Sequence, residues 1–288
     1  MKVIDAHFHY SKIKSFEEIA LNNCIDYTKV GFLKECKDNN IVAGVSMGLT
    51  ETNQGLFPDN KAINPMLCDL AELPENFYFC TGINPLDLDI DSIKKIKNAC
   101  ENSQCVGLKI YAGYYHYYLA DKIYNQVYAI AKEYNLPIVI HSGDTFSKRG
   151  LLKYSHPLQI DELAVLHPEI RFVIAHLGNP WLIDTAEIIY KNENVYADLS
   201  GLLEGDKGKI KRFSSQELFI NMYKTALILA DRYDKLIYGS DWPIVPMNAY
   251  INFIKQTIPE KHYNDVFYNN ALNIFQRLKI KNNEGIYD

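Results

Sequence analysis

Val3-Ile4-Asp5-Ala6-His7-Phe8-His9 reads as a buried β-strand that stops on two imidazoles, and three later stretches repeat the pattern. They are Pro137-Ile138-Val139-Ile140-His141, Phe172-Val173-Ile174-Ala175-His176 and Leu236-Ile237-Tyr238-Gly239-Ser240-Asp241. In parallel α/β folds the chemistry gathers at the carboxyl ends of strands, so metal-ligand residues placed there from distant parts of the chain can converge. Short Val- and Ile-rich runs recur outward from these four, with helical-period segments between them, as in repeated βαβ units. Eight strands are predicted, near residues 2–7, 41–47, 77–83, 105–111, 137–141, 171–176, 195–199 and 236–240. Ile123, Val127, Ile130 and Ala131 give the segment 121–133 one apolar helical face. Eight repeats predict a (β/α)8 TIM barrel occupying residues 1–288 as a single domain. An open doubly wound sheet is the rival, but the Gly-rich phosphate turn expected after its first strand is replaced by His7-Phe8-His9.

Loops are expected to be long after the second strand (48–61), the fifth (142–157) and the seventh (200–215), where they can act as lids or binding surfaces. Additional C-terminal helices are predicted over 248–256 and 261–279, followed by a polar tail at 282–288. Pro180 suits the first turn of a helix.

At 288 residues and 48% apolar composition, the chain can bury a large core. The net charge of −5 comes without long runs of either sign, which excludes an electrostatic footprint for nucleic acid. Neither a leader pattern nor a bilayer-length apolar stretch is present, so a soluble cytoplasmic protein is expected, with no membrane partner. Cys24, Cys36, Cys68, Cys80, Cys100 and Cys105 form no Cys-x-x-Cys pair and read as reduced thiols, with Cys80 and Cys105 as small buried hydrophobes.

Residues two apart in a strand point to the same side, so His7 and His9 can hold one cation together. A barrel would bring His141 and Asp241 onto the axis beside them. Three imidazoles and one carboxylate form a borderline-soft N/O set that suits Zn2+ best, with iron, manganese and cobalt as alternatives.

These four stretches, continued as His141-Ser142-Gly143, His176-Leu177-Gly178 and Asp241-Trp242-Pro243, resemble the amidohydrolase superfamily. The likeness is strongest to its amidohydrolase-related branch, which includes aminocarboxymuconate-semialdehyde decarboxylase, other aromatic-acid decarboxylases, and lactone and amide hydrolases. It runs in order from residue 4 to about Ala271. The resemblance implies that His7, His9, His141 and Asp241 ligate the metal and that His176 stands beside it as acid/base or charge stabiliser. A cation lowers the pKa of water, and a carboxylate such as Asp241 can take the second proton. His176 can polarise a carbonyl or stabilise an oxyanion; its structural alternative is a core histidine bonded to backbone.

Lys109, at the end of the fourth strand, departs from the decarboxylases of that branch. In binuclear amidohydrolases such as dihydroorotase a lysine there is carboxylated and bridges two metals, so one ion is expected here and two if Lys109 is carboxylated. Three roles stand for Lys109: metal bridge, substrate-anion clamp, or outward-facing structural lysine. Tyr111, Tyr114, Tyr115, Tyr117 and Tyr118 surround His116 in an aromatic stretch that can wall a small organic acid or a subunit contact. In the fifth loop Asp144, Arg149, Lys153, Tyr154 and His156 can reach the barrel mouth, with Arg149 as a carboxylate clamp. Trp181 and Trp242 follow strand ends and are candidates for the pocket lining. His116, His167 and His262 lack ligand-like context.

The function expected is metal-dependent hydrolysis of an amide, lactone or other acyl bond in a small molecule, an organic acid or cyclic amide or lactone, with Asp241 and His176 catalytic. The alternatives are a metal-dependent non-oxidative decarboxylase of an aromatic or unsaturated acid, and a non-catalytic barrel that binds a small acid. A homodimer is the assembly the resemblance suggests.

Overall fold

The computed structural model describes residues 1–10, 14–48 and 73–280. The expected loop at 48–61 beyond Gly48, Cys68 and the polar tail at 282–288 lie outside the described residues. Eight parallel strands follow one another around a sheet in chain order: β1 (Val3–Phe8), β2 (Ile41–Met47), β3 (Phe77–Ile83), β4 (Cys105–Ile110), β5 (Ile138–Ile140), β6 (Phe172–Ile174), β7 (Val195–Asp198) and β8 (Leu236–Ile237). Between and after them run α1 (Lys14–Asn22), α2 (Lys29–Asp38), α3 (Ile90–Glu101), α4 (Asn125–Tyr134), α5 (Leu158–Leu166), α6 (Leu182–Lys191), α7 (Lys207–Ser214), α8 (Glu217–Ala230), α9 (Met247–Thr257) and α10 (Asn270–Ile274). The strands are continuous apolar runs because helices cover one face and the barrel interior covers the other. Among the described residues, no helix is long and apolar enough to cross a membrane.

Backbone bonds beyond the regular strands join the last strand to the first. The Ala6 N–H donates to the Tyr238 carbonyl (2.9 Å), the Asp241 N–H to His7 (2.7 Å) and the His9 N–H to Trp242 (2.7 Å). The barrel is therefore closed at the end that carries the site.

The interior below is filled by side chains such as Ile4, Val45, Val139 and Val173, and Ala271, Ile274, Phe275 and Leu278 plug it from beneath. Two anchors hold that plug. The Tyr78 hydroxyl donates to the Lys279 carbonyl (2.5 Å), and Arg277 donates to the carbonyls of Cys100 (2.6 Å) and Tyr134 (2.9 Å).

Three expectations are corrected. The segment 200–215 is not a bare loop, because Asp206 caps α7 by accepting from the Lys209 amide (2.7 Å). The closing helix over 261–279 is broken into a short turn at Glu260–His262, a wide π-type turn at Asp265–Asn269, and α10. The break has a use, since the Val266 carbonyl accepts the Tyr238 N–H (2.9 Å) where β8 has left the ladder. Pro180 precedes α6 rather than entering its first turn. Cys80 and Cys105 are buried as expected, and both are free thiols.

Phe275 is fully buried in the plug. Phe275→Ala is expected to cost about 3–5 kcal/mol in urea unfolding, since the cavity left beneath the strands cannot collapse fully. A loss below about 1 kcal/mol would show that the plug does not support the barrel.

Candidate metal centre at the carboxyl end of the barrel

Regular strand structure ends earlier than predicted in β5, β6 and β8, and the site residues sit in the turns just beyond. His176 (φ 60°), Leu177 (φ 48°) and Asp241 (φ 61°) adopt left-handed backbone, which a strand cannot contain. Each turn brings its side chain over the barrel axis.

His7 is fully buried, and its Nδ1 lies 2.7 Å from Oδ2 of Asp198, the last residue of β7. Burial pushes the Asp198 carboxyl up, but His7, His176 and Lys109 outweigh it and hold it below the usual carboxylate range. An ionised Asp198 accepts, so His7 Nδ1 carries the proton and Nε2 is left with a bare lone pair. Among the described residues that Nε2 has no hydrogen-bond partner; it lies 3.6 Å from Asp241 Oδ1, which also faces His9 Nε2 at 3.1 Å. Burial likewise pushes Asp241 up, while His176, His9 and His7 bring it down and keep it ionised. Ligand atoms of His7, His9 and Asp241 thus lie within 4.8 Å of one another, and the acceptor atoms of His7 and Asp241 face each other with no proton between them. Such a cluster fits a divalent cation.

His7, His176 and Asp198 also lie close together, but His7 Nδ1 and Asp198 Oδ2 are engaged with each other.

His141 enters from the other side of the cavity. Its Nε2 donates to the Asp144 carbonyl (2.8 Å), and its Nδ1 faces His176 Nε2 at 3.2 Å. Of the four expected ligands, the structure gathers His7, His9 and Asp241 tightly and pairs His141 with His176. Asp5 is a strut, accepting from the Ser240 N–H (2.9 Å) and hydroxyl (2.6 Å).

These groups open into a cavity of about 510 Å3. Lys109, Tyr111, Tyr114, Phe16 and Phe213 line it, with Lys209 and Glu204 from the segment after β7. Lys109 is fully buried, and among the described residues its Nζ has no hydrogen-bond partner; because it lines the cavity, the outward-facing reading is overturned. Burial lowers its pKa to about 8, against the pull of Asp198 and Asp241. The Tyr111 hydroxyl donates to the Gly48 carbonyl (2.9 Å), and the Tyr114 ring stands edge-on to His141.

Other expected lining residues lie elsewhere. Trp242 is completely buried, packed on Phe32 and Tyr27, because the turn after Asp241 directs it into the apolar core. Arg149 is exposed and does not line the cavity, nor do Lys153, Tyr154, His156 and Trp181. Asp144 alone of that loop group reaches it, joined by Thr145 and Phe146.

Sequence reasoning passed over Asp198, Ser200 and Gly201. For Asp198 the signal was present, because Val195-Tyr196-Ala197-Asp198 also ends an apolar strand on an acid. At Gly201 (φ 59°) a Cβ would fall 2.5 Å from His176 Nδ1 and 3.0 Å from Asp241 Oδ2, so only glycine leaves room for both side chains.

Burial is the largest cause lowering the pKa of His7, His9, His141 and His176, the last to about 4. Below the ordinary imidazole value of 6.5 the unfolded chain binds protons that these rings refuse, so stability is retained above that pH and lost as pH falls. Urea midpoints of chelator-treated protein are expected to drop steadily from about pH 7 to about pH 5. A flat profile would contradict burial of neutral imidazoles.

The amidohydrolase family model matches residues 4–277. Similar solved structures include an uncharacterised TIM-barrel protein from Bordetella bronchiseptica, with TM-score 0.70, 14% identity, and coverage of 96% of this chain and 99% of that one. The 5-carboxyvanillate decarboxylase of Sphingomonas paucimobilis has TM-score 0.64, 14% identity, and 96% and 99% coverage. A probable 2-pyrone-4,6-dicarboxylic acid hydrolase from Acinetobacter baumannii, solved with citric acid bound, has TM-score 0.61, 15% identity, and 96% and 100% coverage. No curated protein matches the chain in sequence.

Proposed function

Because the chain belongs to the amidohydrolase family, we propose that it is a metal-dependent hydrolase acting on an amide, lactone or other acyl bond of a small organic acid. The observation that carries this reading is the set of proton acceptors around the cavity: Asp241 is ionised, His7 Nε2 turns a bare lone pair toward it, and His141 Nδ1 is left an acceptor by the bond of its Nε2 to the Asp144 carbonyl. Hydrolysis needs such acceptors, because water must lose a proton as it attacks an acyl carbon. Decarboxylation needs the opposite, a positioned N–H that delivers a proton to carbon.

His7, His9 and Asp241, with His141 opposite, would hold the cation, and Zn2+ suits that donor set. When bound, the cation supplies Lewis-acid charge and acidifies water. Asp241 takes the proton released by the attacking water and returns it to the leaving group. His176, with Nδ1 3.8 Å from Asp241 Oδ2, stands close enough to share the proton that Asp241 takes.

Lys109 fits two roles. As a buried ammonium it would clamp a carboxylate of the substrate, and as a carbamate it would offer oxygen donors to metal. Tyr111 and Tyr114 provide an apolar wall with polar tips, suited to a ring or a short unsaturated acid. The citric acid and decarboxylase substrates named for similar structures are small organic acids, which supports this substrate class.

His7→Ala and Asp241→Ala are each expected to lose stoichiometric metal, read by elemental analysis per folded chain, and to reduce turnover at least about 100-fold. Turnover across a panel of lactones, amides and aromatic acids in 18O-labelled water is expected to place the label in a product carboxylate. Carbon dioxide release without label incorporation would replace hydrolysis with the lyase reaction. Intact mass that includes one added carbon dioxide, lost in Lys109→Ala, would assign the bridge.

A further inference from the structure

Asp198 meets one imidazole directly and a second through a hydroxyl. Oδ2 holds His7 Nδ1, and Oδ1 accepts the Ser200 hydroxyl (2.5 Å) and the backbone N–H groups of Ser200 (3.0 Å) and His176 (2.9 Å). The Ser200 Oγ in turn lies 2.9 Å from His176 Nδ1. Asp198 and Ser200 are both fully buried, so water cannot substitute for either partner.

A hydroxyl has one proton. Facing an ionised carboxylate, which only accepts, Ser200 must give that proton to Asp198, and it is then an acceptor toward His176. His176 must therefore carry its proton on Nδ1. Its Nε2 is bare, as is the Nδ1 of His141 opposite, whose own proton is committed to the Asp144 carbonyl.

We propose that Ser200 is a positioning residue that relays the charge of Asp198 to His176, fixing its Nδ1–H tautomer and presenting Nε2 to the cavity as an acceptor. Asp198 sets His7 directly and His176 through one hydroxyl, so a single carboxylate decides which nitrogen of each ring faces the chemistry. The catalytic consequence rests on the hydrolase reading, while the tautomer itself does not.

Without the hydroxyl the balance changes. His176 Nδ1–H would lose its hydrogen bond and keep only Asp241 Oδ2 at 3.8 Å, whereas the other tautomer would place an Nε2–H against the bare His141 Nδ1 at 3.2 Å. Ser200→Ala is therefore expected to move the His176 proton from Nδ1 to Nε2.

Long-range proton–nitrogen correlation spectra of 15N-histidine-labelled protein, as purified and after chelation, read the tautomer without any turnover. The expected result is Nδ1–H at His176 in the wild type, assigned by its loss in His176→Gln, and Nε2–H in the chelated Ser200→Ala protein. The kinetic counterpart is a fall in kcat of at least about tenfold with KM little changed, and recovery in Ser200→Thr. An Nε2–H tautomer in the wild type would overturn the proposal, as would an unchanged Nδ1–H in Ser200→Ala. Correct tautomers in a protein that hydrolyses nothing would leave the relay standing and remove the hydrolase reading instead.

Discussion

The last strand must meet the first for anything else in this molecule to work, and the meeting is made by backbone bonds of the site residues themselves. The Asp241 N–H donates to the His7 carbonyl, so carboxylate and imidazole are joined through the main chain before their side chains interact. Residues separated by most of the chain length acquire a fixed spacing from that seam. Asp5 reinforces it by bonding to Ser240, again tying β1 to the turn beyond β8. The chemical end of the barrel thus has its own cross-bracing, independent of the plug that fills the opposite end.

Charge is distributed unevenly around this frame. Two carboxylates stay ionised because the imidazoles around them, joined at Asp198 by Lys109, outweigh their burial, while burial lowers the proton affinity of the rings themselves. Removing charges from water is costly unless other groups take the place of the solvent. Asp198 is compensated by four donors, and Asp241 is less completely served, which identifies it as the group that gains most from a bound cation.

Much of this architecture is legible in the sequence because parallel strands buried on both faces leave unbroken Val- and Ile-rich runs, and because ligand residues terminate those runs. β2 and β3 begin and end where the apolar runs do. The shorter β6 and β8 were not legible, since left-handed turns at His176 and Asp241 depend on contacts made far along the chain. Trp242 was misplaced for a related reason: an aromatic residue after a strand end can turn toward cavity or core, and local sequence does not distinguish them. The inward direction of Lys109 could have been read by alternation, because Leu108 and Ile110 on either side belong to the outer layer packed beneath the helices. Ser200 carried no such pattern, as its importance comes from standing between two partners supplied by β7 and the turn after β6.

The left-handed backbone at His176 and Asp241 restricts which amino acids these positions can hold. Histidine and aspartate tolerate that conformation better than most residues, whereas β-branched and bulky side chains are strained in it. Chemical diversification of this barrel is thereby directed away from the two turn-borne groups and toward its replaceable walls, the aromatic surface after β4 and the segment around α7. A lineage or an engineer seeking a new substrate would find freedom there, while the backbone itself resists exchange of the inner constellation.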